Sequence, residues 1–164
     1  DVTVDVIGPT VGLIGESERD AIDAEAARLG VGERVVLRGP MALDRLMPLY
    51  RDFDLFVLPT RPGEGIPRVL LEAMASGLPV VTTAVSGIAS LVTHGENGML
   101  VADDSPSALT DAVLRVIREP ALRQKLIAGG YATARAHTLE RQAGEMMQVV
   151  SAELGLSLGR KPAA

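Results

Sequence analysis

EGIPRVLLEAMASGLP, residues 64–79, decides how the rest of the chain is read. Pro67 falls where a first helical residue is expected, since the N–H that proline lacks has no partner at that position anyway. A run of good helix formers extends from Val69 to Ser76. Gly77 follows where a helix stop calls for positive φ. Two glutamates frame this helix with seven residues between them: Glu64 in the Gly/Pro loop before it and Glu72 in its second turn. Glu72 is the only charge between Val69 and Ala75. On either side lie apolar runs, DLFVLPT at 54–60 and LPVVTT at 78–83. Each has the length and bounding residues of a buried strand, so the unit is strand, helix, strand.

The same alternation extends outward. Val2–Gly8 alternates and closes on Gly-Pro, a strand into a tight loop. Glu16–Leu29 has helical spacing and ends at Gly30, and Val35–Gly39 is a short strand. Leu43–Tyr50 is a short helix whose end Pro48 should break or kink. Downstream come a Gly/Ser-rich turn, a short helix near Ile88–Val92, an Asn97-Gly98 turn and a brief strand at Met99–Val101. Three helices follow, at about Ser105–Arg118, Pro120–His137 and Thr138–Leu154, by pattern and caps. The expected fold is α/β: a parallel sheet with helices on both faces, ending in three C-terminal helices. In such sheets ligands sit beyond the carboxyl ends of the strands. Gly8-Pro9, Arg38-Gly39, Thr60–Pro67 and Thr82–Gly87 should therefore share one rim.

Composition narrows the function classes. The 164 residues suit one domain, expected over 1–155 with a flexible tail at 156–164. Hydrophobic residues reach 47% but aromatics only 2%, so the core is aliphatic, as in a covered parallel sheet. No cysteine is present, so disulfides and thiolate metal sites are excluded, which suits a cytoplasmic location. The net charge of −5 and the scarcity of aromatics argue against a nucleic-acid surface. No apolar run approaches the roughly 18 residues of a membrane span. Asp1 leads straight into a strand without a basic flank, so we expect no signal peptide and a chain cut from a longer protein.

The loop-to-helix junction has a chemistry of its own. The first N–H groups of a helix lack internal partners and carry partial positive charge, a ready seat for a diphosphate. Arg68 and Val69 supply such amides, whereas Pro67 cannot. Gly65 lets a ligand approach the backbone. Glu72 lies roughly 7–8 Å along the axis from Pro67, so Glu64 and Glu72 can reach opposite ends of a nucleotide-sugar. A carboxylate can accept two hydrogen bonds from a vicinal diol. Plainer readings stay open: Arg68 and Glu72 are spaced for a surface ion pair, and Glu64 could simply favour the positive helix end.

The wording of the stretch resembles the retaining glycosyltransferases of the GT-B fold, family four. Their fingerprint is a Glu-Gly-aromatic-or-aliphatic-Gly-or-Pro loop, a second Glu after seven residues, then Ala-Met-Ala, Gly and Pro-Val. Here it reads Glu64-Gly65-Ile66-Pro67, Glu72, Ala73-Met74-Ala75, Gly77 and Pro79-Val80. Asp54–Thr60 and Gly95–Val101 resemble two further family segments, and the likeness runs from about Val2 to Val150. It implies a Rossmann-like domain, one half of a GT-B fold, that binds a nucleotide-diphosphate sugar. Glu64 would act at the reacting centre and Glu72 would hold the ribose hydroxyls. Main-chain groups of Gly65, Ile66, Pro67, Arg68 and Val69 would meet donor sugar and phosphates. Arg38 and Gly39 would neighbour the base, chiefly through backbone. No metal or other cofactor is implied. The reaction would move a sugar to an acceptor hydroxyl in bacterial polysaccharide or glycolipid synthesis. The N-terminal acceptor-binding domain would be a missing partner, leaving this chain inactive alone, and membrane association would come only through that half, at the inner membrane.

The match also departs from the family. Near Ser86-Gly87-Ile88-Ala89-Ser90 one glycine and an acid of the usual pattern are absent. That leaves room for a non-catalytic nucleotide- or partner-binding module; a sugar-nucleotide epimerase is the other alternative. Asp52-Phe53-Asp54 imitates a metal-gripping Asp-x-Asp but merely opens an apolar strand. Asp103-Asp104 heads a helix start. Gly8, Gly12 and Gly15 are spaced unlike a dinucleotide fingerprint. His94 and His137 lack the neighbours a metal site needs.

Overall fold

The structure, a computed structural model, describes residues 2–8, 18–61, 65–85, 87–102 and 105–154. It divides into two compact units, Asp1–Leu49 and Tyr50–Ala164. In the first, β1 (Val4–Ile7) and β2 (Val35–Gly39) pair in parallel, with Val4 opposite Val35 and Ile7 opposite Gly39. Helices α1 (Glu18–Arg28) and α2 (Leu43–Leu49) belong to this unit. Pro48 sits inside α2, and the helix tightens into a 3-10 turn over Tyr50–Asp52, the effect expected of a proline near a helix end.

The second unit carries the candidate site. Its three-stranded parallel sheet runs β3 (Phe56–Leu58), β4 (Val80–Thr83), β5 (Met99–Val101), with β4 in the middle. All four β4 residues are buried, which requires cover on both faces. On one face Val81, Met99 and Val101 cluster with Ala112 and Val116 of α5 (Pro106–Arg118) and Leu126 of α6 (Pro120–Ala136). On the other, Val80 and Val92 close over Gly98, where a Cβ would meet both at under 3 Å (2.7 and 2.8 Å). Val92 directly follows α4 (Ile88–Leu91). Helix α3 (Arg68–Ala75) buries Leu70, Ala73 and Met74 and packs on α6, where Met74 Cγ lies 3.3 Å from a Cβ built on Gly130. The last helix, α7 (Leu139–Leu154), buries no residue.

Helix α3 stops as its sequence requires. Gly77 has φ +85°, and its N–H bonds to Met74 O at 3.1 Å while Leu78 N–H bonds to Ala73 O at 3.0 Å. These two bonds make a Schellman ending. The start differs from expectation. Pro67 has ψ 124°, extended, and is the residue before the helix rather than its first member. The strands are also shorter than their apolar runs: β3 covers three residues of the seven from Asp54 to Thr60. Nor is β3 the buried strand its apolar run suggests: Phe56 and Leu58 are half-buried and Val57 is 37% exposed. The tail at 156–164 lies outside the described residues, and among those described no helix is long and apolar enough to cross a membrane.

Candidate functional site

The site residues of the second unit lie just before α3, on α3 and in the turn before α4. Two threonines of β4 secure the exit of β3: Thr82 Oγ1 donates to Leu58 O at 2.9 Å and Thr83 Oγ1 to Thr60 O at 2.5 Å. Gly65 and Ile66 lead through Pro67 into α3. That helix has no side-chain cap. Among the described residues no acceptor is found for the Arg68 and Val69 amides; the first bond of the turn is Leu70 N–H to Pro67 O at 3.1 Å. A Cβ built on Gly65 would meet nothing within 4 Å, so the backbone there is open to a ligand.

Gly87 supports this loop from beneath. A Cβ on Gly87 would lie 2.8 Å from the Gly65 carbonyl carbon and 3.0 Å from Ile66 N. Only glycine allows the turn before α4 to approach so closely. Ser90 Oγ donates to Gly87 O at 2.7 Å, holding that turn against α4. The sequence pattern flagged this segment for what it lacks; its contact with the loop links positions more than twenty residues apart and leaves no local signal.

Glu72 is half-buried. Among the described residues no ion pair joins it to Arg68, which removes the plain helix-surface explanation. Near it lies Tyr50, 2% exposed, whose ring meets Phe56 edge-on at 6.2 Å. Burial first, then the charge and hydrogen bonding of Glu72, push the Tyr50 pKa up to about 12. Sequence reasoning missed Tyr50. Glu64 lies outside the described residues, as do Ser86 and Asp103-Asp104. Arg38 and Gly39 belong to the first unit, where the Arg38 guanidinium is committed to Asp5 and Gly39 takes φ +70° and accepts from Gly8 N–H at 3.0 Å. Both histidines bond to backbone, His94 to Leu100 and His137 to Thr133. Asp52 and Asp54 stand exposed ahead of β3.

Residues 4–119 match the family described as Glycosyl transferases group 1. The chain belongs to this family. Similar relatives of the family include a D-inositol 3-phosphate glycosyltransferase of Acidothermus cellulolyticus, 37% identical over 77% of this chain and 28% of its own length. Two solved structures share the α/β Rossmann-like fold of a GT-B glycosyltransferase. Anabaena HepE in complex with UDP-glucose superimposes with a TM-score of 0.76 at 28% identity, covering 90% of this chain and 41% of that one. Sucrose-phosphate synthase from Thermosynechococcus elongatus gives 0.78 at 28% identity, covering 93% and 39%. The chain spans about a third of the length of the curated relatives it matches, for example 28% and 36% of two of them.

Proposed function

We propose that this chain is the donor-binding part of a retaining glycosyltransferase that moves a sugar from a nucleotide diphosphate to an acceptor hydroxyl. The observation that carries the reading is the half-buried Glu72 carboxylate, free of Arg68, on the helix whose uncapped N-terminus follows the open Gly65 loop. The Arg68 and Val69 amides receive the diphosphate and stabilise the negative charge it carries as it departs, leaving an oxocarbenium-like sugar. Glu72 accepts the ribose diol, and Glu64 meets the donor sugar. HepE, a structural relative, was solved with UDP-glucose, which supports a nucleotide-sugar as donor. The acceptor site belongs to a second domain, a reading supported by the fraction of its relatives that this chain spans. The membership of the family gives the epimerase alternative no support.

Calorimetry of the chain with UDP, GDP and ADP tests this reading. One of the three should bind, and Glu72→Ala should weaken it by about ten- to a hundredfold, the worth of hydrogen bonds to a charged acceptor. No affinity for any of them at millimolar concentration, with circular dichroism showing an intact fold, would leave a binding module of another kind.

A further inference from the structure

Helix α7 runs for 16 residues and buries none of them. It is amphipathic all the same. Leu139, Ala143, Met146, Met147, Val150 and Leu154 recur at helical spacing along one face, and the five large side chains among them are 38–69% exposed. Val149 lies beside this stripe. A helix of this length, carrying Gly144 and two adjacent valines, is marginal on local propensity alone. Helices α5 and α6 meet the same need by laying Val116 and Leu126 into the core. The stripe of α7 calls for cover of the same kind.

The order of the stripe selects what covers it. Each member has a mate at equal distance from the midpoint between Met146 and Met147: Leu139 with Leu154, Ala143 with Val150, and Met146 with Met147. A two-fold interface needs this arrangement, since residue i meets j while j meets i. We propose that two copies of this chain pair through α7, antiparallel, about a two-fold axis at that midpoint. The charges agree. Arg141 pairs with Glu145 at 3.8 Å, and both lie on the side away from the stripe. By the step of about 100° per residue, Glu140 and Glu153 flank the stripe on opposite sides. Like flanks meet in such a pair, so the two acids never face one another. Glu153 stands in a last turn that holds no basic residue, the unfavourable end of its own dipole. The pairing brings it beside the positive first turn of the second copy. An anionic membrane is the poorer occupant, because the charges beside the stripe are acidic and such surfaces select Lys and Arg.

Six side chains a copy fall well short of the about 20–30 residues of a standard interface, so a reversible dimer with Kd in the micromolar range is expected. Sedimentation velocity of the chain from about 1 µM to about 1 mM should show the shift from one copy to two. Val150→Glu should raise Kd by about tenfold or more, because it buries a charge without a partner. Gln148→Glu, the same charge on the opposite face, should leave it unchanged. Cross-linking reads the direction, since the chain has no cysteine of its own. Leu139→Cys mixed with Leu154→Cys should form a disulfide-linked pair under a mild oxidant. Leu139→Cys alone should not, its two copies lying about 22 Å apart along the helices, against about 4 Å between bridged Cβ atoms. A chain that stays monomeric to millimolar concentration, a dimer indifferent to Val150→Glu, or Leu139→Cys linking to itself overturns the proposal. In the first of these cases, sedimentation with anionic lipid vesicles gives the face to a membrane, and no such sedimentation gives it to the remainder of a longer enzyme.

Discussion

Adding one methyl group at Gly87 is the sharpest perturbation the site offers. Gly87 has φ −63° and ψ −19°, an ordinary helical conformation. Alanine adopts it freely, and on chain entropy alone the change would stabilise the fold by about 0.4–1 kcal/mol. The new Cβ, however, would sit 2.8 Å from the Gly65 carbonyl carbon, and reaching ordinary contact at 3.4 Å requires the Gly65–Ile66 peptide to retreat by 3.4 − 2.8 = 0.6 Å. The obstacle is backbone, so no side chain can swing away. Overpacking of this kind costs about 1–3 kcal/mol, leaving a net loss of about 1–2 kcal/mol and a melting temperature lower by a few degrees. Binding should suffer more than stability, because the displaced peptide leads directly into the α3 N-terminus. Misplacing a binding group by about 1 Å costs up to about a hundredfold in rate, so about tenfold in UDP affinity is expected here. Differential scanning calorimetry and titration calorimetry read the two effects. Gly144→Ala is the control: it lies within α7, and a Cβ there would meet nothing within 4 Å. If Gly87→Ala melts and binds like Gly144→Ala, the close approach of the two loops is wrong.

Other outcomes follow from single side chains. Met74 is 0% exposed between α3 and α6, so Met74→Ala should lose about 2–5 kcal/mol in urea denaturation. Asn97 donates to Leu91 O at 3.0 Å and Thr133 Oγ1 at 2.7 Å, and accepts from Thr93 N–H at 2.7 Å. Asn97→Ala empties a buried amide position and leaves the buried Leu91 carbonyl without its partner, and should cost about 1–3 kcal/mol by the same assay. Burial pushes the Tyr50 hydroxyl up to about 12 in the folded chain, against about 10 for a free tyrosine. Above pH 10 the unfolded chain releases this proton while the folded chain retains it. Stability from this group is therefore complete below pH 10 and falls between pH 10 and 12, by roughly 2–3 kcal/mol. Tyr50→Phe should show a shallower loss across that interval, seen as a smaller drop in the denaturation midpoint.

The parts of this fold that could be read along the chain are those whose causes are local. The Gly77 stop works through φ, the Ser105 cap through a hydroxyl three residues from the Ala108 amide it serves, and α3 through its apolar spacing. The sequence places Pro67 one position too far into the helix because its fixed φ of −67° suits both the helix and the extended residue before it. The apolar runs overextend the strands because Leu55 packs on the core and Leu78 closes the end of α3. At the site, Gly65 and Glu72 announced themselves by residue type. Their supports did not: Gly87 approaches Gly65 and Thr83 reaches Thr60 only once the chain has folded.

The turn at Asn97-Gly98 has a bearing on the chemical durability of the protein. An asparagine followed by glycine is the dipeptide most prone to deamidation, because the unhindered glycine nitrogen can attack the side-chain carbonyl and expel ammonia. Here that amide is tethered at its nitrogen by Leu91 and Thr133 and at its oxygen by Thr93, so it cannot rotate to meet the nitrogen of Gly98. Native protein should age without change in mass at this position, while urea-unfolded protein gains about one dalton there on prolonged incubation at alkaline pH, the lability that makes asparagine scarce in heat-adapted proteins.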